Sequence, residues 1–172
     1  MRLDFVALHA RSPGTIAALL AESYAGLLRS LPEKAGIDLR RTWEAYDTEV
    51  HDAPDTVGRC GFLTIAGDEI VGMASWDPRG WPDVGRVGHN CVRPVRQGQG
   101  FGRLQIERVL THFREKGFAA AEARTGTHPF YEPARRMYAR CGFTIVAHES
   151  RRSGSGHGTL LLRAALVSAF TI

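Results

Sequence analysis

Residues 84–125 read as strand, glycine-rich turn, helix and strand in unbroken succession, and this run constrains the fold more than any other. A strand that passes through a helix to a second strand implies a crossover, with the two strands parallel or nearly so in one sheet. The helix spans about 100–116, where Leu104, Ile106, Val109, Leu110 and Phe113 recur on one face and Gly117 stops it. The strands are 84–93 and the buried-looking "FAAAEART" at 118–125.

The rest of the chain fits around this unit. Residues 2–9 alternate as a first strand. "SPGTIAALLAESYAGLLRSLPE" opens with Ser12 as N-cap and Pro13 at the first helical position, and Ile16, Leu19, Leu20, Tyr24, Leu27 and Leu28 fall at helical spacing. "LRRTWEAYDTEVHD" predicts a second, more polar helix. "CGFLTIAGDEIVGMASWD" predicts a hairpin turning at Gly67-Asp68. "EPARRMYARCGF" is a short helix with Pro133 in its first turn and Gly142 just past its end, and "FTIVAHES", "RRSGSGHG" and "TLLLRAAL" form a closing hairpin. The order is β-α-α-β-β-β-α-β-α-β-β, an α+β (mixed α/β) class with one sheet and a single domain over 1–172.

Composition removes several functional classes. No apolar run reaches the roughly 18–20 residues of a membrane span, so no membrane association is expected. The N-terminus "MRLDFVALHA" lacks the long apolar core of a signal peptide. Three cysteines (Cys60, Cys91, Cys141) supply neither a disulfide framework nor a zinc site, which fits a reducing cytoplasm. The seven histidines show no metal-ligand spacing, so no metal is expected. A net charge of +4 favours anionic ligands, but the arginines are spread along the chain, so a nucleic-acid partner is not expected.

The turn "RQGQGFGR" is where chemistry concentrates. A helix start leaves backbone N–H groups unpaired and partly positive, and glycines let an anion approach them. Gln97-Gly98-Gln99-Gly100-Phe101-Gly102 supplies such a turn, flanked by Arg96 and Arg103. From the residues alone, a phosphate cradle and an ordinary tightly packed loop both stand open. A Walker loop is excluded because no Gly-Lys-Ser/Thr follows, and G-x-G-x-G does not match the G-x-G-x-x-G dinucleotide fingerprint.

The stretch "VRPVRQGQGFG" (92–102) resembles the acetyl-CoA loop of the GNAT N-acetyltransferases, Gln/Arg-x-x-Gly-x-Gly/Ala after a Val-x-Pro strand end. "ARRMYARCGF" (134–143) is similar to that family's short helix ending in Tyr-x-x-x-Gly-Phe, and the element order matches its layout over nearly the whole chain. The resemblance implies that acetyl-CoA is a cosubstrate and that the amides from Gln97 through Gly98, Gln99, Gly100, Phe101 and Gly102 to Arg103 hold its pyrophosphate. It also implies that strand 84–93 splays from 118–125, with Asn90, Cys91 and Val92 along the pantetheine arm.

The resemblance assigns Tyr138 to protonating the departing thiolate, a role that needs a donor within reach of sulfur. A half-buried core tyrosine is the alternative. Tyr131 stands where the family often has an asparagine on the cofactor, an exchange that leaves contact with cofactor or acceptor open. His89, on the central strand, is the first candidate for the base that deprotonates the amine, against a purely structural histidine. Glu132 and His128 come next, and His157 lies beside the last turn. Cys91 is read as a buried hydrophobe, not as a nucleophile.

The family's acceptor region implies Trp43, Tyr46, Asp47 and Glu49 on the second helix, Trp76 and Trp81 in the loop "SWDPRGWPD", and His148 and Arg151 opposite, while aromatics packed over the core and acidic residues on a solvated helix face stay open as the alternative. The expected partner is a small-molecule or peptide amine, with a homodimer possible within the family. The expected function is acetyl transfer from acetyl-CoA to an amine directly, in a ternary complex. The rival is a non-catalytic acyl-CoA-binding module of the same fold.

Overall fold

The computed structural model describes residues 3–77, 79, 83–149 and 157–166. Among these, seven strands form one sheet: β1 (Leu3–Ala7), β2 (Gly61–Ala66), β3 (Glu69–Trp76), β4 (Val84–Val92), β5 (Ala120–Gly126), β6 (Thr144–Glu149) and β7 (Thr159–Ala165). Five helices accompany them: α1 (Thr15–Ser23), α2 (Ala25–Leu28), α3 (Glu33–Asp52), α4 (Phe101–Glu115) and α5 (Glu132–Arg140). The strand order is β1-β2-β3-β4-β5-β7-β6, with β4 and β5 the parallel pair that the crossover predicts.

Two apolar layers sandwich the first half of the sheet. On one face Ile16, Leu19 and Leu20 of α1 and Trp43 and Val50 of α3 pack on Leu63, Ile65 and Met73. On the other, Ile106, Val109, Leu110 and Phe113 of α4 pack on Phe62, Ala74, Ala121 and Ala123, joined by Tyr138 and Phe143. Every residue of β2 is therefore buried, which explains its nearly continuous apolar sequence. β6, at the sheet edge, is largely exposed.

The first helical segment differs from expectation at two points. It breaks at Tyr24, whose backbone (φ −102°, ψ 14°) ends α1 and starts α2. Its N-terminus begins after Gly14 (φ 90°) and is not capped by Ser12. Asp47 of α3 provides the cap: its carboxylate accepts from the N–H groups of Gly14 (2.8 Å), Ile16 (2.7 Å) and Ala17 (3.0 Å). A carboxylate at a helix N-terminus meets both the unpaired amides and the positive end of the dipole. A side chain distant in sequence thus replaces the local cap.

The feature that positions the site lies in mid-sheet. β4 and β5 pair only over Val84–Arg86 and Ala120–Glu122. Beyond this, β4 stays on β3 and β5 stays on β7. The β3–β4 ladder is irregular here, with Ala74 opposite Asn90 and Trp76 opposite Val87. Ser75 Oγ fills the irregularity by accepting the His89 N–H at 2.8 Å. The sheet is therefore split, and the two strands diverge toward α4 and α5.

Candidate functional site

The glycine turn stands at the end of β4. Gly98 (φ 75°) and Gly100 (φ 87°) occupy the left-handed region, and a Cβ at either would meet nothing within 4 Å. The glycines are needed for backbone conformation and leave open space above it. Leu104 N–H is bonded to Gly100 O at 3.0 Å, so the amides of Phe101, Gly102 and Arg103 face out of the start of α4. The two glutamines fold back on the preceding backbone: Gln97 Nε2 donates to Val92 O (3.0 Å) and Gln99 Nε2 to Val95 O (3.4 Å).

A cavity of about 510 Å³ opens over this turn. Asn90, Cys91, Val92, Gln97, Gly98 and Gly100 line it, as do Phe101, Gly102 and Arg103, whereas Gln99 does not. Across from the turn, α5 contributes Pro133, Met137 and Arg140. Arg96 also borders the cavity, held by Glu69, whose carboxyl is drawn below the usual carboxylate range by that hydrogen bond. Arg140 forms no ion pair among the described residues. Outward-facing amides ringed by arginines suit an anionic ligand such as a phosphate.

Behind the turn lies a polar knot that the sequence reading did not single out. Gln105 is fully buried, and its Oε1 accepts from Thr64 Oγ1 at 2.8 Å. Its Nε2 lies within donating distance of Asn90 Oδ1 (2.6 Å), Met73 O (3.0 Å) and Cys91 O (3.2 Å). One amide thus ties α4 to β2, β3 and β4 beside the split. The signal was available: Gln105 is the lone polar member of the row Phe101, Gln105, Val109, Phe113.

A second cavity, about 370 Å³, adjoins the first, and Tyr24, Asn90, Tyr131, Ala134 and Met137 line both. Here the structure brings together His89 and Tyr138 with Tyr131, His128 and His157. Tyr138 is 5% exposed, and burial holds its phenol ionisation far above the usual range, so it stays protonated. His89 lies against the Tyr46 ring (centroids 4.7 Å apart), and burial lowers its pKa, which favours the neutral imidazole. Cys91 is buried with its thiol pushed up to about 12, chiefly by desolvation, which makes it a poor nucleophile.

The tryptophans sit elsewhere. Trp43 is 3% exposed in the α1–α3 core, beside Tyr24, and lines neither cavity. Trp76 stacks on His112 (4.3 Å, 30°) on the α4 side and borders a separate depression with Phe5 and Arg108. Trp81 and Arg151 lie outside the described residues. Asp47 is occupied in capping α1 and does not face an acceptor. Tyr24, read from the sequence only as a core position, borders both cavities because the α1–α2 break turns it toward Phe130 and Tyr131 (centroids 5.5 and 6.3 Å).

A family model described as "Acetyltransferase (GNAT) family" matches residues 22–143, more than half of the chain. Among curated proteins, none matches the sequence significantly. Solved structures share the fold. A protein assigned to the GNAT acetyltransferases from Desulfovibrio desulfuricans aligns with a TM-score of 0.74 at 20% identity, covering 96% of this chain and 100% of its own. PaiA N-acetyltransferase from Thermoplasma acidophilum, solved with coenzyme A, gives 0.73 at 13% identity over 96% and 99%. A ribosomal-protein alanine N-acetyltransferase from Escherichia coli gives 0.66 at 14% over 98% and 97%. At such identities the likeness is one of fold.

Proposed function

The chain belongs to the GNAT acetyltransferase family, and from that premise we propose that it transfers an acetyl group from acetyl-CoA directly to an amine in a ternary complex. The observation that carries this reading is the meeting of two cavities at the β4–β5 split, one walled by amides and arginines, the other by His89 and Tyr138. The first suits the charged end of a CoA molecule, and the second suits an acceptor approaching from the opposite side. When bound, acetyl-CoA supplies the thioester carbon that the amine attacks.

The chain's own residues provide the remaining chemistry. The amides of Phe101, Gly102 and Arg103, with Arg96 and Arg140, hold the pyrophosphate. Arg93 N–H donates to Val71 O (2.9 Å), so strand alternation turns the amides of Asn90 and Val92 to the opposite, open edge. Those groups border the path of the pantetheine arm. His89 accepts the proton that the amine gives up, as a base held neutral by burial. Tyr138 donates its phenolic proton to the sulfur as the C–N bond forms and the C–S bond breaks. An acyl-cysteine route is disfavoured, because the Cys91 thiol stays protonated.

Calorimetric titration with acetyl-CoA, CoA and NAD tests the reading, repeated on Gly100→Glu with thermal unfolding as the fold control. Glutamate there would place a carboxylate over the amides and strain a φ of 87°. The expected result is saturable binding of acetyl-CoA but not NAD, weakened at least ~100-fold in the variant. A folded wild-type protein that ignores acetyl-CoA would sink both the transferase and the acyl-CoA-binding module. Binding without thiol release toward any amine would favour the module.

A further inference from the structure

The second cavity has a one-sided charge inventory. The residues that the structure does not describe include no Asp or Glu, so all 18 carboxylate side chains belong to described residues. None of them lines this cavity. Among the described residues its ionisable lining is Arg124, the three histidines and the tyrosines, and its apolar wall includes Leu27, Leu31 and Leu39.

Two polar groups in it await a partner or are fixed as donors. Thr125 is 6% exposed, and its hydroxyl is buried with no hydrogen-bond partner among the described residues. In β5 it follows Arg124 directly, so the two side chains leave opposite faces of the sheet and do not meet on one ligand group. His128 Nδ1 accepts from Phe130 N–H at 3.0 Å, which assigns the ring proton to Nε2, beside Ser30 Oγ at 3.2 Å. The His157 ring packs edge-on against it at 4.6 Å. Arg124 pairs with Glu149 only through long contacts of 3.4 Å on an exposed surface, and a guanidinium can serve a second carboxylate.

An acceptor with several ammonium groups would enter with no carboxylate to balance it and with Arg124 opposing it. A single amine gains from the same setting. Desolvation lowers its proton affinity, no carboxylate in the lining restores it, and the neutral amine is the attacking form. The volume of about 370 Å³ is near the lower end of the roughly 300–1,000 Å³ typical of ligand pockets, which suits a compact molecule. We infer that the acceptor is a small monoamine of the amino-acid class, with an apolar body and one carboxylate held by Arg124. Polyamines and multiply aminated sugars are refused. This rests on the transferase reading of the same site.

Binding and turnover are measured separately on the full chain. With saturating CoA present, leucine, methionine and phenylalanine are titrated beside the amines left when each loses its carboxylate, and beside spermidine. At least one amino acid is expected to bind tenfold or more tighter than its decarboxylated counterpart and than spermidine. Arg124→Gln should erase that advantage, whereas Thr125→Val, on the opposite face of β5, should leave it in place, with CoA affinity unchanged in both. Equal binding with and without the carboxylate, or preference for spermidine, overturns the inference. Thiol release from acetyl-CoA is read on the same panel. A carboxylate preference without thiol release overturns the transferase reading and leaves the ligand chemistry standing.

Discussion

The two cavities at the strand split are made of different material. The anion-facing end of the first is backbone: amides at the start of α4, held open by two left-handed glycines and surrounded by arginines. The second is nearly all side chain, drawn from α2, α3, β4, β5, α5 and the loops around β7. Backbone recognises charge and shape whatever the neighbouring side chains are, so the first site is general. Side chains recognise particular molecules, so on the proposed function the second would select what is acetylated. The two functions should therefore come apart under mutation.

The sharpest separation is expected at Tyr138. Tyr138→Phe removes only the phenolic oxygen, and it should lower kcat about 100-fold while leaving the Kd for CoA unchanged. Stopped-flow thiol release with parallel calorimetry measures both. A matching loss of CoA affinity would mean that the two cavities act as one.

A smaller effect is expected at His89, read from the pH profile of kcat/KM. Burial depresses this imidazole, so the wild-type rate should hold to below the ordinary histidine range near 6.5 before falling as the base is protonated. His89→Gln should lower the rate about thirtyfold and abolish that acid limb. The same shift acts on folding. The unfolded chain takes up the proton first, so this contribution to stability is present above the unfolded pKa and is lost as pH falls through the folded one. Chemical denaturation of wild type and variant across pH 5–7.5 reads the difference.

The smallest effect is predicted at Cys91. Cys91→Ala should change kcat less than about twofold and leave activity insensitive to alkylating reagents, because the thiol is buried and protonated. Loss of turnover with CoA binding intact would reinstate a covalent role.

This contrast also sets what could be read from the sequence. The loop of the first cavity was legible because its residues run consecutively from Asn90 to Arg103, and the flanking strand and helix carried clear periodicity. The crossover made the parallel β4–β5 pair follow from chain order. The second cavity draws on residues from Tyr24 to Thr159, and no spacing rule links positions that only the fold brings together. Tryptophans in a proline-rich loop and on an amphipathic helix looked like pocket walls, but composition cannot tell an aromatic residue over a cavity from one stacked on His112 or sunk beside Tyr24. The break at Tyr24 was hidden because Gly26, two residues past it, sits inside an unbroken apolar row at helical spacing. Gln105 did leave one, as a polar residue in an apolar row.

The Asp47 cap bears on how the molecule is built in time. Three backbone amides of the first helical segment wait for a carboxylate that follows them by 30 to 33 positions. As the chain emerges from a ribosome, the segment carrying Tyr24 appears well before the residue that completes its start. That start is satisfied only with α3 in place, so the wall shared by both cavities depends on a carboxylate that borders neither of them.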